Sequence, residues 1–306
     1  MLGNVKLRHF EAFLALAEDT HFGRAASTLG IAQPALSHQI QALEHILGVT
    51  LFERTRRSVA LSPAGAALIP AARRAVASAE QAVNDAHRYS RGETGTIEIM
   101  YSASIAYSGV LQEAIGGFRA ALPDVRLNIR EGTLERQVTA LLESRADIGF
   151  MRPTLPRGDG LDSHVIRREK ILLLLPAAHP LAQRDTVDLA DCRDETFIIP
   201  DQPPEVSFHR HTLELCSNAG FVPRIGREVR DWVTITSLVA LRMGFALVPA
   251  SLTCVALPGV AFREIRANNV LADIALVHRS GDQTPPVSAF LRHVRAHFHD
   301  ADWVSD

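Results

Sequence analysis

The stretch "GIAQPALSHQIQALEHILG", Gly30 to Gly48, combines an early proline, a serine, several glutamines and histidines, and a clean apolar stripe. Leu36, Ile40, Leu43 and Leu47 recur at helical steps and predict a buried face. The opposite face carries Gln33, Ser37, His38 and Gln41, with Gln39 at its flank. Pro34 sits in the tolerated first turn, and Gly30 can take positive φ as the C-cap of the helix before it. Upstream, Phe10, Phe13, Leu14, Leu16 and Ala17, then Phe22, Ala25, Ala26 and Leu29, mark two amphipathic helices broken near Asp19 to His21. Two short helices joined by a tight glycine-containing turn, the second with a polar face, read as a helix-turn-helix whose second helix enters the major groove. Glutamine bonds adenine bidentately, serine bonds either base type, and Pro34 and Ala35 can meet a thymine methyl.

"VTLFERTRRSVALSPAG" follows, with two β-prone pieces, Val49 to Phe52 and Val59 to Leu61, around the basic tip Arg54, Arg56 and Arg57. A hairpin wing with three arginines would sit on phosphates or in the minor groove. A solvated charged loop is the alternative. Ser62-Pro63 then open an alanine-rich helix to about Ser90, in which Ile69, Ala72, Val76, Ala79, Val83 and Ala86 form a heptad seam. That seam suits pairing with its twin, against the plainer reading of an amphipathic surface helix. "RGETG", Arg91 to Gly95, is a hinge.

Length and composition set the frame for these motifs. A chain of 306 residues exceeds one domain at roughly 100–200 residues each. With 47% hydrophobic and 22% charged residues it reads as globular, and no run approaches the roughly 18 apolar residues of a membrane span. The amino terminus lacks the pattern of a secretory leader, and three scattered cysteines, Cys192, Cys216 and Cys254, fit a reducing cytoplasm. The formal charge of -2 requires any DNA-binding surface to be local. Only Lys6 and Lys170 are lysines, so arginine supplies the planar, bidentate contacts.

From Thr96 onward strands and helices alternate. "TIEIMY", a helix Val110 to Ala121, "VRLNIRE", a helix Leu134 to Arg145 and "ADIGFM" make a first set. "KILLLLP", "TFIIP", a helix Ser207 to Ala219, "RIGREV", a helix Trp232 to Gly244 and "ALVP" make a second. "AFREI" and "DIALVH" precede a terminal helix, Val287 to His299. Such units imply parallel sheets covered on both faces, arranged as two α/β lobes with a small-molecule cleft between them.

The residues from Phe13 to Gly65 resemble the LysR-type transcriptional regulators. Phe22, Ala25-Ala26, Leu29, Gln33-Pro34, Leu36-Ser37, Gln39-Ile40, Leu43-Glu44, Leu47-Gly48, Leu51-Phe52, Arg54, Arg57 and Gly65 carry the likeness. "AAHPLA", Ala177 to Ala182, and "LRMGFALVPAS", Leu241 to Ser251, extend it. The resemblance implies an α/β chain with an all-α head: a winged helix-turn-helix at 1–62, a linker and dimerisation helix at 63–91, and a two-lobed, periplasmic-binding-protein-like effector domain at 92–306. Subdomain I would take about 96–162 and 268–306, and subdomain II about 163–267. It also implies double-stranded promoter DNA, RNA polymerase and a small-molecule inducer as partners, and a homodimer or homotetramer.

"EGTLERQVTALLESRADIGFMRP", Glu131 to Pro153, resembles the branch that controls aromatic-compound catabolism and answers to benzoate- or muconate-like carboxylates. That likeness implies an activator with effector contacts at Ser104, Thr133, Arg152, Val206 and Phe208. The residues themselves are compatible. Ser102 and Ser104 end the first strand, Thr133 ends the second, Arg152 is either a bidentate carboxylate clamp or an interlobe salt bridge, and Phe208 is an apolar wall. Trp232 joins that wall or packs in the core. One departure is His38, where the family most often has arginine; a neutral imidazole donates a single hydrogen bond.

Rival classes find little support. "HVRAH", His293 to His297, lacks the metalloprotease glutamate and reads as a solvated helix face, and the histidines of "HRH", His209 to His211, point to different sides of a helix. No P-loop, dinucleotide fingerprint or nucleophile elbow is present, so no catalytic residue, metal or cofactor is expected. A redox-sensing regulator using Cys192 and Cys216 is the alternative within the family. A two-lobed solute-binding protein would not carry the reading head.

Overall fold

The computed structural model describes residues 5–54, 59–152 and 160–298. They fall into two compact units, Met1–Arg88 and Tyr89–Asp306.

In the first unit, helices α1 (Leu7–Asp19), α2 (Phe22–Thr28) and α3 (Gln33–Leu47) precede strands β1 (Phe52–Arg54) and β2 (Val59–Leu61) and the long helix α4 (Pro63–Ser90). The chain breaks α1 from α2 where Thr20 turns left-handed at φ 47°, and His21 restarts the helix by accepting the Gly23 and Arg24 N–H groups on Nδ1 at 3.1 and 3.3 Å. Gly30 and Gly48 take φ of 63° and 69°, as a turn and a C-cap require. Phe13, Leu16, Leu36, Ile40, Leu43 and Phe52 fill the core, with Phe13 and Phe52 rings 5.6 Å apart.

Three details differ from expectation. Leu47 is exposed, because α3 ends there and its last turn has no partner beneath it. The first strand begins at Phe52, not Val49, because the Glu44 carboxylate takes the Leu51 and Phe52 N–H groups at 2.8 and 3.1 Å and holds that turn against α3. Ile69 and Ala72 pack into the core of the head, so only Val76, Ala79, Val83 and Ala86 remain of the heptad seam, the last two exposed.

The second unit opens with β3 (Gly95–Tyr101), α5 (Val110–Ala121), β4 (Val125–Glu131), α6 (Leu134–Leu142) and β5 (Ile148–Met151). These are joined by parallel pairings of β3 with β4 and β5. Next comes β6 (Leu161–Pro176), a single strand of 16 residues. Lobe II follows with β7 (Thr186–Val187), β8 (Thr196–Pro200), α7 (Ser207–Asn218), β9 (Arg224–Val229), α8 (Trp232–Ala240), β10 (Ala246–Pro249) and β11 (Val260–Ile265). The chain returns to lobe I through β12 (Leu271–Arg279) and α9 (Pro285–His297).

Both lobes share β6. Its residues 161–170 pair antiparallel with β12, and Ile171–Pro176 pair antiparallel with β10 and β11. The side-chain pattern changes at the same place: the first half has exposed and half-buried positions, while Ile171 to Leu175 are all buried. A strand covered on both faces needs a continuous apolar run, and one with a wet face does not. The sheets are therefore mixed rather than parallel throughout, because a chain that crosses between lobes and returns must run back against its own direction. β8 and β9 keep the expected parallel pairing. Two expected helices are shorter: α6 stops at Leu142 and α8 at Ala240, where Ser144 and Arg242 take left-handed φ of 57° and 58°.

Lobe I packs α5 and α9 on one face of its sheet, with Phe118, Phe150 and Phe290 in edge-to-face contact, and α6 on the other. No helix among the described residues is long and apolar enough to cross a membrane.

Candidate functional site

In the head, α3 buries Leu36, Ile40 and Leu43 and leaves Gln33, Pro34, Ala35, His38 and Gln41 exposed, with Ser37 half-buried. This is the geometry a groove-reading helix needs: an apolar stripe anchored on two partner helices and a polar face left in water. His38 lies close enough to His9 that their charges oppose, and burial followed by Arg8, Lys6 and His38 lowers the His9 pKa. Arg54 is not a free wing cation. Its Nη2 pairs with Glu44 Oε2 at 3.1 Å and its guanidinium covers the Phe22 ring at 5.2 Å, tying the wing to the helices. Arg56 and Arg57 lie outside the described residues.

In the second unit the expected effector residues gather around one buried guanidinium. Arg152 leaves the end of β5 and is 4% exposed. Its Nε donates to Ser104 Oγ at 3.0 Å, and one terminal nitrogen, Nη2, donates to Glu169 Oε1 in a tight ion pair. The other carboxylate oxygen, Oε2 of Glu169, accepts the Ser251 N–H at 2.8 Å. Ser104 belongs to lobe I, Glu169 to the shared strand β6 and Ser251 to lobe II, so one chain of polar contacts spans the cleft. The guanidinium also faces the Phe208 ring at 5.1 Å, and Phe208 meets Trp232 edge-on at 5.1 Å. Burial pushes the Arg152 pKa down and Glu169 opposes that shift.

The salt-bridge alternative for Arg152 is thus the one observed, yet it is incomplete. Nη1 of Arg152 is buried without a hydrogen-bond partner, as is Oγ of Ser251 on the other side of Glu169. A buried donor of this kind costs about 1–3 kcal/mol unless something fills the vacancy. Next to it, α7 starts at Val206 with no capping side chain and no acidic residue in its first turn, so its N–H groups and dipole face the cleft uncompensated. Ser207, its first residue, is held at φ 45°, a left-handed strain carried by a non-glycine residue.

The remaining expected residues have internal duties. Ser102 Oγ accepts from Gln137 Nε2 at 2.9 Å, and Thr133 caps α6 by accepting the Arg136 N–H at 3.4 Å. Trp232 is buried, in keeping with packing, although its edge completes the wall at Phe208. Glu169 was not singled out by sequence reading. The available signal was a lone carboxylate in "REK", where the alternating half of β6 gives way to the apolar run. His211 was also missed as a site neighbour: it packs against Phe208 at 5.4 Å, and burial, then Arg210 and Arg152, push its pKa down to about 4. His209 Nδ1 meets the Gln202 carbonyl at 2.7 Å. Cys192 and Cys216 are buried, and burial pushes both thiols up to about 12, which leaves no reactive thiolate for a redox sensor.

A reading helix on one unit and a two-lobed cleft with a buried, half-satisfied arginine on the other are the parts of a ligand-controlled regulator. A family model described as "Bacterial regulatory helix-turn-helix protein, lysR family" matches residues 7–66, and one described as "LysR substrate binding domain" matches residues 90–299. The chain belongs to the LysR family of transcriptional regulators. YnfL of Escherichia coli (strain K12), an HTH-type transcriptional regulator, is 34% identical over 293 residues, covering 95% of this chain and 98% of YnfL. Full-length CbnR in complex with its target DNA is 29% identical, with a TM-score of 0.82 over 96% of this chain and 99% of that one. The BenM effector-binding domain with its effector benzoate is 26% identical, with a TM-score of 0.59 over 67% of this chain and 92% of that one. The LysR family comprises regulators, not enzymes, which settles the main rival class.

Two outcomes follow from the buried pair. Glu169→Gln strands the Arg152 charge and should cost about 3–5 kcal/mol of unfolding free energy, whereas Arg152→Gln with Glu169→Gln should recover most of it. Denaturant unfolding of the three proteins decides this, and equal stability of the single and double variants would contradict it. His211 gives a pH dependence. Its folded pKa of about 4 lies below the ordinary 6.5, so the unfolded chain takes up the proton first. The stabilisation is complete above pH 6.5 and is lost as pH falls towards 4, by at most about 3 kcal/mol. His211→Gln should flatten the decline in thermal midpoint over that range, and an unchanged slope would contradict it.

Proposed function

We propose that this LysR-family regulator is an activator that reads promoter DNA with α3 and the wing, and binds a small carboxylate, of aromatic-derived type, between its lobes. The unpartnered Nη1 of the buried Arg152 carries the effector reading. A carboxylate oxygen accepting from Nη1 would satisfy the orphan donor, and the second oxygen would meet the uncapped start of α7 near Val206, Ser207 and Phe208. The Phe208 and Trp232 rings offer an apolar wall for the rest of the ligand, and Ser102, Ser104 and Thr133 form the lobe I rim. Benzoate in BenM is a ligand of this chemistry.

Arg152 is already neutralised by Glu169, so the anion gains one free donor and a helix terminus rather than a whole guanidinium. Ligand specificity then rests on geometry more than on net charge. Because the contacts come from both lobes, binding favours one lobe arrangement over another, which is what a ligand must do to move an equilibrium. Exposed Val83 and Ala86, with half-buried Val76 and Ala79, suit α4 to pairing with a second copy, and the shift in lobe arrangement would pass through α4 to the spacing of two heads on DNA. Gln33, Pro34, Ala35, Ser37, His38 and Gln41 reach base edges in this reading, and Arg54, Arg56 and Arg57 lie along the backbone or minor groove. The protein works in the cytoplasm, as a dimer or tetramer, and hands the signal to RNA polymerase.

The effector reading is tested by thermal unfolding of the full chain with benzoate, salicylate and cis,cis-muconate. A ligand at one hundred times its dissociation constant stabilises by about 2.7 kcal/mol, which raises the midpoint measurably. The shift should vanish in the paired Arg152→Gln, Glu169→Gln variant, with DNA binding retained. A shift that survives in that variant removes Arg152 from the site. For the head, Arg57→Ala should weaken binding to all duplexes and reduce the salt slope by about one unit. An unchanged slope would show that this arginine leaves phosphate alone.

A further inference from the structure

Lobe I holds a second polar feature, on the face opposite α6. His293 and His297 are one turn apart on α9, with ring centroids 4.1 Å apart. The solvated face expected from sequence holds for His297, which is exposed, but not for the reactive edge of His293. His293 lies against Phe118, and its Nε2 is buried with no hydrogen-bond partner. Nδ1 of His297 donates to the His293 carbonyl at 2.9 Å, which leaves the lone pair of a neutral ring on Nε2.

Both Nε2 atoms turn towards the same point on α5. A Cβ placed on Gly117 would fall 2.9 Å from Nε2 of His293 and 3.8 Å from Nε2 of His297, and beside it Gly116 has open space around the position of its missing Cβ. The sequence "GG" at 116–117 therefore leaves a recess that two imidazole nitrogens enter. Histidines four residues apart on one helix face are the commonest two-point helical chelate, and a ligating histidine characteristically donates its other N–H to a carbonyl, as His297 does.

We propose that His293 and His297 bind a divalent transition-metal ion, of the class of Zn²⁺, Ni²⁺ and Cu²⁺, through both Nε2 atoms in the recess over Gly117. Imidazole pairs suit these ions and not Mg²⁺ or Ca²⁺. No group of three or more histidine, cysteine or carboxylate ligands gathers among the described residues, so water completes the coordination. It enters from a cavity of about 360 Å³ lined by His297, Glu113, Arg167 and Phe298. Glu113, one turn before Gly117 on α5, contributes negative potential while its Oε2 is held by Arg167 at 2.6 Å. Burial and His297 together lower the His293 pKa, so no proton competes for that nitrogen near neutral pH.

The test is calorimetric titration of the full chain, free of any histidine tag, with Cu²⁺, Ni²⁺ or Zn²⁺ chloride alone. The expected result is one saturable ion per chain, tightest for Cu²⁺, with no heat from Mg²⁺. His297→Asn alters an exposed side chain and should weaken the affinity by at least about tenfold without loss of fold. Gly117→Ala, which fills the recess within a helix, should do the same. Equal affinity in the wild type and both variants would place the ion elsewhere and overturn the proposal, as would absence of saturable binding. Circular dichroism of each variant shows that a lost ion is not a lost fold.

Discussion

One strand is held in common by two sheets. Residues 161–170 of β6 belong to lobe I and Ile171–Pro176 to lobe II, with β12 making the return. Each lobe has its own core, one centred on Phe118, Phe150 and Phe290, the other on Leu173, Phe197, Phe208 and Val248. The lobes meet where the strand passes between them, and Glu169 lies at that passage. A carboxylate there cannot stay unpaired once both lobes form, and Arg152 from lobe I with the Ser251 N–H from lobe II are its partners.

That arrangement gives the cleft its chemistry. A fully satisfied pair would be inert, and an isolated buried arginine would be too costly to keep. Arg152 is between these limits: neutralised by Glu169, bonded to Ser104, stacked on Phe208, and still one donor short. The uncapped start of α7 and the strained Ser207 lie on the same side, where a ligand can relieve both deficits at once. A site of this kind couples ligand binding to lobe arrangement because its polar partners are divided between the lobes.

The head obeys a different constraint. Its helices are too short to persist alone and depend on the core around Phe13, Leu36, Ile40 and Phe52. Glu44 links that core to the wing by taking two backbone N–H groups and Arg54. Arg54 is thereby partly withdrawn from the cationic tip, and the reading surface consists of the polar face of α3 with whatever charge the adjoining segment adds. His38 in place of the usual arginine makes that face less basic.

Much of this was legible in the residues. The two helices, the glycine turn and the polar face of Gly30 to Gly48 follow from periodicity and capping alone, because a helix of this kind is specified by contacts a few residues apart. Strands and helices of both lobes were readable for the same reason, to within a few residues at α6 and α8. The full length of β6 was not, because its first half alternates and carries charge, and only its neighbours identify it as a strand. Nor could sequence decide between clamp and salt bridge for Arg152, separate Ile69 and Ala72 from the seam, or bury one edge of His293. Those outcomes depend on partners tens of residues away, such as Glu169, Leu36 and Gly117. Local pattern determines which elements form; the pairing of buried charges and lone pairs is decided only when distant elements pack and water is excluded.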